Sequence, residues 1–103
     1  MKFVVMAVCD VGKAAELAKV TDKTDANPPS GYKPLTRYVC LAHPVSGIPS
    51  GKGVTIAIIE AESANAIAAA TYPLMLGGAE VNTVPVIEMP IGGVTEVEKK
   101  ARG

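Results

Sequence analysis

The stretch Gly53-Val54-Thr55-Ile56-Ala57-Ile58-Ile59-Glu60 decides the fold. It is apolar at successive positions and rich in β-branched residues, which describes a strand covered on both faces rather than one with a wet side. Downstream, Ser63 stands before the alanine-rich run Ala64-Asn65-Ala66-Ile67-Ala68-Ala69-Ala70, a capped helix whose small side chains allow close approach to a sheet. Tyr72-Pro73 is expected to interrupt that helix before Gly77-Gly78 ends it. A second strand-like run follows near 80–88, and its Pro85 lacks a ladder donor, so it belongs at a sheet edge.

Working upstream, Phe3, Val5, Ala7 and Cys9 alternate with Val4, Met6 and Val8, again apolar on both sides, giving a strand near 2–9. Asp10 is placed to cap a short helix over 13–20, with Ala14, Leu17, Ala18 and Thr21 on one stripe. The residues 22–34 turn polar and contain three prolines, reading as a long loop with Tyr32 as the anchor of a potential lid. A further strand is expected near 36–43, with Tyr38 and Cys40 on one face and Arg37, Val39 and His43 on the other. The turn-forming residues 44–52 then make a hairpin into the opening strand, setting these two strands antiparallel. Beyond Pro90-Ile91-Gly92-Gly93, the run from Thr95 to Arg102 has a cap, early acids and late bases, as a short terminal helix does.

The order strand, helix, strand, strand, helix, strand is the ferredoxin-like βαββαβ pattern, an α+β sandwich with antiparallel sheet order 4-1-3-2. Residues 1–90 form the domain and 91–103 a terminal helix and tail. Both helices of that pattern lie on one face. The central strands are apolar on both, so the other face needs a cover, and a two-fold homodimer pairing sheet on sheet supplies it.

Composition narrows the function. Ten basic and ten acidic residues cancel, which removes the electrostatic warrant for nucleic-acid or anionic-membrane binding. The amino terminus lacks the apolar length of a signal peptide, and no run approaches the ~20 apolar residues of a membrane span, so a cytoplasmic protein is expected. Cys9 and Cys40 fall on strands separated by a third, too far apart for a disulfide, and read as free thiols. No ligand set has metal spacing, and Cys40 and His43 point to opposite faces. Gly51-Lys52 follows a Gly/Ser/Pro loop but lacks the remaining residues of a phosphate-binding loop, and a strand follows it. No metal or cofactor is expected.

The stretch Lys52-Gly53-Val54-Thr55-Ile56-Ala57-Ile58-Ile59-Glu60-Ala61, the alanine-rich helix and Glu80-Val81-Asn82-Thr83-Val84-Pro85-Val86-Ile87 together resemble small uncharacterised bacterial domains of the dimeric α/β-barrel superfamily. The opening Met1-Lys2-Phe3-Val4-Val5 and Gly12-Lys13 fit the same pattern. The resemblance implies a dimeric α/β barrel. As in cofactor-free oxygenases of that superfamily, Tyr32, Tyr38 and Tyr72 would line a pocket between helices and sheet, though packing accounts for scattered tyrosines equally well. His43, the single histidine, and Tyr38 and Tyr72 are the catalytic candidates; a carboxylate with a raised pKa, Asp10 or Glu60, is an alternative base. Two function classes stand: a homo-oligomeric binding or accessory module holding a small apolar molecule between helices and sheet, and a small cofactor-independent enzyme of oxygenase or isomerase type.

Overall fold

A computed structural model describes residues 1–40 and 51–103. The elements run β1 (Lys2–Asp10), a single 3-10 turn (Val11–Lys13), α1 (Ala14–Ala26), β2 (Tyr32–Val39), β3 (Lys52–Ala61), α2 (Ala64–Leu76), β4 (Glu80–Val86) and α3 (Val94–Arg102). The four strands form one antiparallel sheet in the order β2-β3-β1-β4. This is the ferredoxin-like arrangement expected from the sequence, read from the opposite edge. The edge position implied by Pro85 is observed too, since among the described residues β4 pairs with β1 alone.

Register assigns the faces. Val5 lies opposite Ala57 and Thr83, and Phe3 opposite Ile59 and Pro85, so Phe3, Val5, Ala57, Ile59 and Ala61 share one side. Val5, Ala57, Ile59 and Ala61 form the buried cluster, joined by Phe3, Tyr32, Val81 and Ile67 of α2. Ile59 is fully enclosed, at 0% exposure. α1 reaches the same side, where Arg37 of β2 holds Asp25 through two hydrogen bonds of 2.8 and 2.9 Å. The two helices meet where Leu17 of α1 presses on Gly77, just past the end of α2; a Cβ there would lie 2.6 Å from Leu17 Cδ2.

Several boundaries differ from the sequence expectation. The expected loop over 22–34 is mostly regular: α1 continues to Ala26 and β2 begins at Tyr32. Thr21 and Thr24 donate their hydroxyls to the carbonyls of Leu17 and Val20, so these polar residues are satisfied inside the helix. The helix stops before Asn27-Pro28-Pro29, as steric conflict with a following proline requires. No lid of that length exists there. β2 starts at Tyr32 rather than near residue 36 because an edge strand tolerates Pro34, with a register shift between Pro34 and Thr36. Its expected far end, with His43, lies outside the described residues, as do most of the expected hairpin residues 44–52.

α2 does not break at Tyr72-Pro73 but carries Pro73 inside its last turn. The Thr71 hydroxyl donates to the Ile67 carbonyl, and the Gly77 N–H closes on the Pro73 carbonyl. Ser63 caps α2 as expected, accepting from the Ala66 N–H at 3.1 Å. Asp10 caps nothing; its carboxylate goes to Lys52 Nζ across the β1–β3 end. α3 begins one residue before Thr95, with Gly93 at its N-cap and no side-chain cap.

Candidate functional site

The sheet face opposite α1 and α2 carries Val4, Met6 and Val8 of β1, Val54, Ile56 and Ile58 of β3, Val84 and Val86 of β4, and Tyr38 of β2. No described helix packs on it. Val54, opposite Val8 and hydrogen-bonded to the Cys40 backbone, is buried, and Val4, Met6, Ile56 and Ile58 are half-buried. Val84 and Tyr38, on the outer strands, are 54% and 63% exposed. Charged residues close both ends: Lys2, Lys33 and Glu60 at one, Asp10, Lys52 and Glu80 at the other. An apolar strip bounded by charge is an interface pattern.

An open cleft of about 480 Å³ lies at the Lys2 end of the sheet, lined by Met1, Gly31, Tyr32, Lys33, Glu60, Ala61 and Glu62. Its walls are held by backbone: the Glu62 N–H donates to the Gly31 carbonyl at 2.9 Å, and the Ala61 N–H to the Met1 carbonyl at 3.0 Å. Gly31 adopts φ +76°, and a Cβ on it would meet the Glu62 carboxylate at 3.0 Å, so both conformation and space call for glycine. Tyr32 turns its ring to the core, and burial raises its phenol pKa, with the Arg37 charge acting the other way.

The three candidate tyrosines do not converge. Tyr32 is on the helix-covered face, Tyr38 on the open face, and Tyr72 on the outside of α2 at 57% exposure. His43 lies outside the described residues. Asp10, weighed as a base with a raised pKa, is corrected: hydrogen bonding to Lys52, and then the Lys52 charge, lower it. Cys9 and Cys40 are free thiols on opposite sides of the sheet, Cys9 in register with Gly53 and Cys40 beside Val54. Among the described residues no three His, Cys, Asp or Glu side chains group as metal ligands do, and no helix is long and apolar enough to cross a membrane. Sequence reasoning missed Gly31, Lys33 and Glu62 as cleft residues, because their proximity depends on the register of β2 against β3. The glycine in a turn was the one local signal.

No protein-family model matches this chain, and no curated protein matches it. Among solved structures it is similar to the C-terminal domain of the MgtC protein from Mycobacterium tuberculosis, with TM-score 0.57 and 10% identity over 80% of this chain and 83% of that one. That likeness is one of fold. It is also similar to a putative glycine cleavage system transcriptional repressor, with TM-score 0.46 and 13% identity over 96% of this chain and 63% of that chain, too low a score to bear on function or fold.

Proposed function

We propose that this protein is a homo-oligomeric binding or accessory module, a dimer through its open sheet face with a site for a small, mostly apolar molecule. The observation that carries the reading is the apolar strip of Val4, Met6, Ile56, Ile58 and Val84, on which no helix packs among the described residues. At ~25 cal/mol per Å², a few hundred Å² of such surface left in water forgoes several kcal/mol, comparable to the whole stability of a small domain. Face-to-face pairing of two copies removes that cost and makes the dimeric α/β barrel that the sequence resembles. The cleft beside Tyr32 is the ligand site: the apolar part rests against Met1 and Ala61, and Lys33, Glu60 and Glu62 bound the entrance.

Sedimentation equilibrium at low micromolar concentration tests the dimer. The expected result is twice the chain mass for the unmodified protein and the single-chain mass for Ile56→Glu, which places a charge in the middle of the strip. A folded monomer for the unmodified chain overturns the reading. The ligand half is tested separately by titrating 1-hexanol into isotopically labelled protein. Saturable shifts confined to the amides of Gly31 to Lys33 and Glu60 to Glu62 support the cleft, and shifts elsewhere or none reject it. The oxygenase- or isomerase-type alternative rests on His43, Tyr38 and Tyr72, and no observed geometry brings Tyr38 and Tyr72 together.

A further inference from the structure

Charge and hydrogen bonding are unevenly distributed around the cleft at the Lys2 end of the sheet, and the imbalance bears on the head group a ligand would carry. Glu60 lies in register between Lys2 of β1 and Lys33 of β2. Directly opposed cross-strand side chains have Cβ atoms ~4.5–5.5 Å apart, so this carboxylate has a cation on each side. Lys2 in turn reaches Glu88 at 3.6 Å. The row is neutral within itself. Glu62 stands outside it: its neighbour on the β2 side is Gly31, which has no side chain to offer, and among the described residues it joins no ion pair.

The ordinary structural duties open to Glu62 are taken by other groups. It immediately precedes the N-cap of α2, yet the capping oxygen is the Ser63 hydroxyl, which accepts from the Ala66 N–H. The wall of the cleft is closed by the Glu62 backbone N–H on the Gly31 carbonyl, not by the side chain. The carboxylate instead lies over Gly31, with Oε2 3.0 Å from the position a Cβ there would take. It is a charged group held at the cleft with no internal partner among the described residues.

The backbone of the cleft has the same polarity. The N–H groups of Tyr32, Ala61 and Glu62 are committed to the carbonyls of Pro29, Met1 and Gly31, at 3.1, 3.0 and 2.9 Å. The Met1 and Gly31 carbonyls each accept one of those bonds and keep a second lone pair. Lys33, the cation among the lining residues, already faces Glu60 across the ladder. A carboxylate or phosphate head would meet spent donors and an uncompensated negative charge. An ammonium brings three donors and the opposite charge.

We infer that the cleft takes a small primary amine, its ammonium against the Glu62 carboxylate above Gly31 and its short apolar tail along Met1 and Ala61. This rests on the ligand site proposed above and names the class of molecule that the site selects. The cleft is open, so solvent screening holds the gain from the ion pair to a modest factor.

The test uses the full, isotopically labelled chain, titrated separately with hexylammonium chloride, 1-hexanol and sodium hexanoate at matched low ionic strength, where exposed charges are least screened. Hexylammonium and 1-hexanol should both shift the amides of Gly31 to Lys33 and Glu60 to Glu62, with hexylammonium binding about three- to fivefold more tightly and hexanoate more weakly than either. Glu62→Gln should bring hexylammonium to the affinity of 1-hexanol and leave 1-hexanol unchanged. Glu80→Gln, which removes the same charge at the other end of the sheet, should leave the preference intact. Equal affinities for hexylammonium and 1-hexanol in the unmodified chain, or tighter binding of hexanoate, overturn the amine and leave the cleft as an apolar site. A preference that survives Glu62→Gln, or that Glu80→Gln reduces as much, overturns it too, because the overall charge of the chain rather than Glu62 would then be responsible. Absence of saturable shifts at the cleft with all three probes overturns the ligand site itself, and the amine with it.

Discussion

Gly77 is where the two long helices touch, and the contact is tight enough to set a direction for any substitution. Its φ is −78°, so alanine fits the backbone, but the added methyl would sit 2.6 Å from Leu17 Cδ2. Leu17 is buried and has little room to retreat. Gly77→Ala is expected to cost ~1–3 kcal/mol by overpacking, read as a lower urea midpoint at unchanged slope. Gly12→Ala is the control, because nothing lies within 4 Å of its added methyl. The Asp25–Arg37 pair sets a second residue-scale outcome. Two-point hydrogen bonding from the guanidinium holds the Asp25 carboxyl below its ordinary value. A depressed carboxylate pKa contributes stability that is fully present above the unfolded value of ~3.9 and is lost as pH falls through the folded one. Both groups are about one-third exposed, so solvent screening limits the contribution to ~0.5–1 kcal/mol. Titrating stability from pH 6 downward should show that loss below about pH 4, and Asp25→Asn should remove that component.

At the scale of elements, the sequence was readable wherever periodicity and a local breaker agreed. β1, β3 and α2 each combine a clear period with a cap or turn, and each forms close to its expected place. The order of the sheet followed from the order of elements. What the sequence did not show were features settled by neighbours: the last turns of α1, where Thr hydroxyls find acceptors on the backbone and Asp25 reaches Arg37, and the start of β2, where an edge position accommodates Pro34. The cleft was hidden for the same reason, since Gly31 and Glu62 meet only through the β2–β3 register. By contrast the Ser63 cap was legible from local chemistry alone, and its removal should act locally. Ser63→Ala leaves the Ala66 N–H without its acceptor and is expected to cost ~1 kcal/mol, with Ser63→Thr largely restoring it. A cost below a few tenths in thermal or urea unfolding would show that water replaces the cap without penalty.

For the whole molecule the controlling fact is thinness. A sheet with two helices on one side and an apolar strip on the other is 18 Å through at its narrowest, and among the described residues its buried hydrophobics are mostly alanine and valine with one leucine and one isoleucine. Such a core leaves little stability to a single copy, because a chain of about this size buries only ~60–65% of the surface it exposes when unfolded. If the open face is covered by a second copy, folding and association are one equilibrium, and apparent stability must depend on concentration. Each tenfold rise in protein concentration then adds ~1.4 kcal/mol to the apparent stability of the dimer. With an unfolding slope of ~3 kcal/mol per molar urea for a unit of twice this length, the midpoint should climb by about 0.5 M per tenfold step. Ile56→Glu, which interrupts the strip, should either remain unfolded or unfold at a midpoint that concentration does not move. A concentration-independent midpoint for the unmodified chain would mean that one copy is stable with its apolar face in water, and the pairing of sheets would have to be abandoned.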